Sequence, residues 1–457
     1  MKEQQVEIEG GREHWASRFG FIMATAGFAI GLGNIWRFPY TTGMNGGGAF
    51  LLVYIVFALL IGIPLMTAEI ALGRKAQRTP IAGMARVTGS KKNPWNLFGW
   101  LGVATAVLIQ SYYVMLIGWI FGYFFMIVSG RLSQVTVEEL PTVFGEFTAD
   151  SGRVFILTAL VVVILAAIVT RGLRKGLERV ADVAMPIFFV LLLVLAVRSL
   201  TFDGASEGLA WFLTPDFSAI NGPAVQAALG QAFYSIGIGM AAAFGFGAYL
   251  DPRKSDVPGN AVIVVACDTG VAILAGLVIF PALFAFGLEP NAGPGLLFLT
   301  MTHLFAVMPA GGLFGGVFFF LLILASITSS AALHEVLTAT LTDLVPIGRR
   351  SAALLLSGVF LLLSVPIILS QGPWSHIQLF GLDLFGLADT VSGNYLLPAG
   401  GLLLALYMIF GWGFDGFRND VNVGATWLRI TPLWKPLVVF IIPVAVIVVV
   451  LGGLGLF

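Results

Sequence analysis

The sequence predicts an all-α, multi-pass membrane protein of 11 transmembrane helices, arranged as a five-plus-five inverted repeat with broken helices 1 and 6, plus one extra helix. Three observations carry this. Of 457 residues, 58% are hydrophobic and only 11% charged, and the mean hydropathy is +0.95; water-soluble chains do not have this composition. Apolar runs of about 20 residues, enough to cross roughly 30 Å of hydrocarbon, occur eleven times. Two of those runs carry glycine clusters in the middle, where a helix should be most regular.

The runs cover 16–42, 49–73, 96–128, 154–170, 178–200, 226–250, 261–287, 313–344, 351–371, 390–412 and 434–456. Only the basic stretch 171–177 divides the fourth from the fifth. Lys and Arg collect in cytoplasmic loops, and with the N-terminus inside, 20 of the 24 fall on cytoplasmic segments. Arg131, Arg153 and Arg198 lie outside, and Arg37 lies within the first span. An odd number of spans puts the C-terminus outside. Residues 1–457 thus read as one transmembrane domain, with 16–200 and 226–412 as the two halves and 434–456 as the extra helix.

The single Cys267 excludes an intrachain disulfide, and His14, His303, His334 and His376 are scattered rather than spaced as metal ligands. The polar start lacks the basic and apolar regions of a cleaved signal, so the first apolar stretch is expected to remain. A multi-pass protein of the cell (inner) membrane is the expected location, with the lipid bilayer as partner. The formal net charge of zero gives no sign of nucleic acid.

The first run holds Gly27-Phe28-Ala29-Ile30-Gly31-Leu32-Gly33-Asn34, and the sixth holds Ser235-Ile236-Gly237-Ile238-Gly239-Met240. Glycine weakens a helix interior, and in hydrocarbon each freed N–H or C=O needs another partner, so a break survives where it lines a cavity. Gly27 and Gly31 could instead form a small-residue surface for a neighbouring helix. Paired breaks at corresponding positions of two five-span halves favour binding, because they mark inverted-repeat secondary transporters with a midplane site.

GREHWASRFGFIMATAGFAIGLGNIWRFPY followed by NGGGAF resembles the first two helices of neurotransmitter:sodium symporters, as do GQAFYSIGIGM, ASITSS and the Tyr112-Tyr113 pair. The resemblance extends over nearly the whole chain and points to bacterial eleven-helix amino-acid members with the LeuT-type fold. It implies two sodium sites. One would use the Ala29 carbonyl, Asn34, Ser235 and Asp268; the other would use the carbonyls of Gly27, Ile30 and Ala325 with the Thr328 and Ser329 hydroxyls. Those hydroxyls could equally bond back to a carbonyl one turn earlier.

The family position of Asp268 usually holds an amide, and an acid at membrane depth costs roughly 2.5 to 3.5 kcal/mol on insertion scales. The resemblance places the chloride region of animal members at Tyr54, Gln231, Ser235, Asp268 and Ala272. The expectation is that the Asp268 carboxylate replaces chloride. A protonated, hydrogen-bonded Asp268 is the alternative.

Gly31 stands where relatives carrying decarboxylated amines hold an aspartate, so the implied substrate is an α-amino acid. Its carboxylate would meet sodium, the Tyr113 hydroxyl and the N–H groups around Leu32 and Gly33. Its ammonium would face the carbonyls of Ala29, Tyr234 and Ser235. The side-chain pocket would be Phe28, Ile109, Tyr113, Tyr234, Met240, Ser330 and Leu333, with Phe233, Gly237 and Ser329 beside it. No formal charge lines it, which suits a neutral aliphatic or aromatic amino acid.

Arg37 would pair with Asp389 outside, with Asp383 as second choice, above a lid of Phe233 and Tyr113. On the cytoplasmic side Arg12 would pair with Asp343, with Trp15 and Tyr249 covering the opening. Glu69 would satisfy backbone at the sixth break, and 287–309 would form an outer lid. A nucleophile elbow, a metal cluster and a phosphate loop are all missing from the sequence, so no enzyme is expected. A sodium-dependent receptor or channel-like protein on the same scaffold is the competing reading.

Overall fold

The computed structural model describes residues 13–132, 135–290 and 296–453, which are helical apart from turns and two isolated bridges. Among the described residues, nine helices are long and apolar enough to cross a membrane: Gly48–Ala76, Pro94–Val128, Ser151–Val169, Leu173–Leu200, Val257–Ala285, Gly311–Leu344, Arg349–Ser370, Leu384–Gly411 and Pro432–Gly452. Arg18–Ala29 and Gly33–Met44, bent by 49° at their junction, make a tenth span. The run at 226–250 is Gly222–Ile236 and Ala242–Gly247 with turns between them. Eleven spans are reached only by reading this pair as one interrupted span, the sixth.

Local chemistry sets the ends. The Ser17 hydroxyl caps the first span by accepting the Gly20 N–H at 2.8 Å. Asn221, Asp256 and Asp383 cap the sixth, seventh and tenth spans in the same way. The fifth span starts at Leu173 rather than 178, because Leu173–Glu178 winds as a π-helix that runs into Arg179–Leu200. The tenth begins at Leu384 rather than 390, on its Asp383 cap.

Burial separates an inner from an outer ring. The third and eighth spans are 78% buried over their most apolar windows, against 39% for the fourth, fifth and ninth. Both breaks lie among these enclosed helices. The stretch 287–309, expected as an outer lid, contains the helix Thr300–Val307, and Phe298 beside it packs on Trp119, Tyr123 and Phe319; residues 291–295 lie outside the described part. Short helices Pro80–Val87, Leu140–Ala149, Ala205–Leu213 and Phe414–Val421 sit between spans, too short to cross the bilayer.

Candidate functional site

The first helix stops at Ala29, and side chains from elsewhere take up its loose backbone. Ile30 is extended, with φ −75° and ψ 99°. The Gly31 N–H donates to Asn34 Oδ1 at 3.2 Å, and the Leu32 N–H donates to the Tyr113 hydroxyl at 3.2 Å. Ser329 Oγ donates to the Phe28 carbonyl at 2.8 Å, and Gln231 Nε2 to the Gly33 carbonyl at 2.8 Å. A Cβ on residue 31 would stand 2.7 Å from Tyr113 Oη, so only glycine allows this approach.

The sixth span breaks at 237–241, in the later part of the Ser235–Met240 cluster and one residue beyond it. Gly237 and Gly239 take φ of +73° and +95°, conformations that other residues adopt at a cost. The helix therefore runs on through Ser235 and Ile236. Glu69 Oε1 accepts the freed Gly239 N–H at 2.9 Å, joining the second span to the break.

Between the breaks lies a narrow cavity: about 480 Å³ is free of protein atoms when adjoining open solvent is included, and about 40 Å³ of it admits the centre of a water-sized sphere. The first span contributes Phe28, Ala29, Gly31, Leu32 and Gly33; the third contributes Ile109, Gln110 and Tyr113. Tyr234, Ser235, Gly237 and Met240 come from the sixth, and Ser329, Ser330 and Leu333 from the eighth. All the expected substrate residues are there except Phe233. That side chain is buried against Gly401 of the tenth span, where a Cβ on residue 401 would meet its ring at 2.3 Å. One residue is about 100° of helix, which turns Phe233 away from the wall and Tyr234 toward it. Gln110 was not anticipated.

The first expected ion position is a buried cluster. Asn34 Nδ2 lies 2.9 Å from Ser235 Oγ, 2.9 Å from the Asp268 carbonyl and 2.7 Å from Asp268 Oδ1. Ser235 Oγ is 3.1 and 3.0 Å from the two Asp268 carboxyl oxygens, and the Tyr54 hydroxyl donates to Oδ2 at 3.3 Å. No Lys or Arg lies within 4.0 Å of that carboxyl among the described residues. Of the expected chloride region, Tyr54, Ser235 and Asp268 meet, whereas Gln231 Nε2 turns to the Gly33 carbonyl.

At the second expected position, Thr328 Oγ1 donates to the carbonyls of Leu324 and Ala325, both at 2.9 Å. Thr328 therefore bonds back along its own helix in this structure, and the Ala325 carbonyl expected to face an ion accepts its proton. Gly27 nevertheless lies against Thr328, since a Cβ there would be 3.4 Å from Thr328 Cβ.

The gates differ in detail from expectation. Arg37 and Asp389 form no ion pair within 4.0 Å. The guanidinium lies over the Tyr234 ring, 4.1 Å from its centroid, and beside Gly393 of the tenth span. Asp389 Oδ1 instead accepts from the Tyr112 hydroxyl at 3.4 Å. Asp383 is occupied as a helix cap and by Gln371.

On the cytoplasmic side Arg12 lies outside the described residues. Asp343 accepts from the Thr79 N–H at 2.8 Å and from the Thr79 hydroxyl at 2.7 Å, and it pairs with Arg78 at 3.4 Å. Trp15 packs edge-on against Phe21, Phe246 and Tyr249 and donates its indole N–H to the Phe246 carbonyl at 3.1 Å. The Tyr249 hydroxyl donates at 3.1 Å to Glu335 Oε1, and Arg349 holds the other oxygen of this buried carboxylate. This second cytoplasmic pair was not foreseen, although an acid in a membrane helix is itself a signal.

Two interrupted helices flanking one cavity are the geometry of secondary transporters. The model of the sodium:neurotransmitter symporter family matches residues 12–141 and 142–455. The chain belongs to that family. The chain is 36% identical over 446 residues to an uncharacterized sodium-dependent transporter, YhdH, of Bacillus subtilis, covering 97% of this chain and 98% of the relative. A Haemophilus influenzae sodium-dependent transporter is 32% identical over 452 residues, with the same two coverages. The crystal structure of MhsT in complex with L-phenylalanine matches this chain with a TM-score of 0.88 and 39% identity, over 97% of this chain and 100% of that one. The chain has the LeuT-type fold.

Proposed function

We propose that this chain is a sodium-coupled secondary active transporter of a neutral, apolar or aromatic α-amino acid, working by alternating access from the cell membrane. The observation that carries the reading is the cavity between the two breaks, walled by both interrupted spans and without a formal charge on its lining. The solved relative holding L-phenylalanine supports an amino acid as ligand. Gly31, unlike an acid, leaves room for a substrate that brings its own carboxylate.

Two sodium ions are cargo beside the substrate. The first sits among the Ala29 carbonyl, Asn34, Ser235 and Asp268, with the substrate carboxylate completing its oxygen shell. The second sits among the carbonyls of Gly27, Ile30 and Ala325 once Thr328 and Ser329 turn their oxygens toward it. Asp268 supplies the negative charge that chloride brings elsewhere, so transport is independent of chloride. Arg37 with Asp389 closes the outer side, while Trp15 and Tyr249 close the inner one and Arg12 serves as a partner for Asp343. The N-terminus is cytoplasmic and the C-terminus is outside. Each charge moved through 100 mV contributes about 2.3 kcal/mol, so a sodium gradient can drive accumulation.

Uptake of labelled amino acids into proteoliposomes tests this. An inward sodium gradient should concentrate the substrate, and collapsing the gradient should release it. Sodium-dependent binding without accumulation would make the chain a receptor.

A further inference from the structure

Gln110 lies on the third span one turn before Tyr113, on the same helical face, and is fully buried. Its amide nitrogen donates to Ser330 Oγ at 2.7 Å and lies 3.4 Å from the Ser330 carbonyl oxygen. A carbonyl can only accept, so the nitrogen faces the eighth span. That leaves Gln110 Oε1 buried with no donor among the described residues. Such an oxygen is expensive unless something completes it.

Ser330 is unusual in the complementary sense. On the same helix Ser326, Thr328 and Thr340 each donate to a carbonyl one turn earlier. Among the described residues the Ser330 hydroxyl makes no such bond and is engaged as an acceptor from Gln110 alone. Its proton therefore remains available. An acceptor without a donor and a donor without an acceptor stand side by side in the cavity wall. They are one turn from Tyr113, whose hydroxyl marks the backbone-binding end at Leu32.

We propose that Gln110 and Ser330 form a specificity subsite for an aromatic side chain tipped with a hydroxyl group. The phenol O–H of the substrate donates to Gln110 Oε1, and its oxygen accepts from the Ser330 hydroxyl. An indole N–H satisfies the amide but leaves the serine unmatched. A phenyl or aliphatic side chain satisfies neither. The inference rests on the cavity being an amino-acid site and names which amino acid it selects, a tyrosine-like one.

The test is sodium-dependent binding to the purified full-length protein, comparing L-tyrosine, L-phenylalanine, 4-fluoro-L-phenylalanine and L-tryptophan. One satisfied pair corresponds to tyrosine binding about tenfold tighter than phenylalanine or its fluoro analogue. Gln110→Met should bring that ratio to about one or below, and Ser330→Ala should lower it part of the way. The ligand series on the unsubstituted protein and the Ser330 variant decide the matter even if Gln110→Met does not fold. Phenylalanine or tryptophan binding as tightly as tyrosine overturns the subsite while leaving the amino-acid site standing. So does a tyrosine preference that survives both substitutions. Absence of sodium-dependent binding for every amino acid overturns both readings.

Discussion

Replacing Asp268 by asparagine removes one charge with little change of shape. The carboxyl is fully buried and holds only neutral partners: Asn34 at 2.7 Å, Ser235 at 3.0 and 3.1 Å, and Tyr54 at 3.3 Å. In this structure the Asn34 amide nitrogen faces the Asp268 carboxylate. An ion first taken by the Asn34 amide oxygen at about 2.3–2.6 Å would therefore start about 5 Å from that carboxylate, which sets a lower bound on the attraction once Asp268 joins its shell. At an effective dielectric constant of 20 that attraction is about 3 kcal/mol, or roughly two orders of magnitude in sodium affinity. Asp268→Asn should therefore weaken sodium activation by about a hundredfold and make uptake respond to chloride. The assay is proteoliposome uptake at varied sodium, in chloride and in gluconate. The unsubstituted protein should transport equally in both anions, and the variant should work better in chloride. Loss of wild-type uptake in gluconate, or a variant with unchanged sodium dependence, would refute the reasoning.

Gly237→Ala sets a Cβ at φ +73°, 2.6 Å from the Phe28 ring. Strain of about 1–3 kcal/mol plus lost volume should cut affinity for aromatic substrates more than for small ones, as read by competition binding. Arg349→Gln leaves the Glu335 carboxylate buried without its cation, a loss of roughly 3–5 kcal/mol; thermal unfolding should fall sharply, and Glu335→Gln added to it should restore most of the loss. A single variant as stable as the parent would show the pair to be irrelevant. Trp15→Phe keeps the packing but deletes the bond to the Phe246 carbonyl, worth about 1 kcal/mol. A cysteine placed in the cavity of that variant should react faster from the cytoplasmic side, and unchanged labelling would count against Trp15 as an inner cover.

Much of the site was legible because membranes make interruptions conspicuous. Gly31 and Gly237 stand at breaks in apolar spans and line the cavity wall, whereas Gly239 frees an N–H for Glu69 and packs against the tenth span. Other parts escaped for physical reasons. Gln110 sits in a long apolar helix with no break nearby; its spacing of three from Tyr113 was the available sign. Phe233 and Tyr234 are adjacent in sequence, and only the helical phase of the sixth span decides which faces the cavity. Thr328 had two partners available, and the structure shows it bonded along its own helix. Arg37 reads as half of a salt bridge, yet an aromatic face can hold a guanidinium too, and Tyr234 does so. The early start of the fifth span lies in a basic stretch that hydropathy reads as a loop, although it winds as a π-helix.

The central claim is that the two breaks bind sodium and an amino acid as neighbours, so each should tighten the other. Binding isotherms for the amino acid at several sodium concentrations, and for sodium at several amino-acid concentrations, measure this directly. The account predicts the same enhancement factor in both directions. Amino-acid affinity that is identical in sodium and in choline would contradict it.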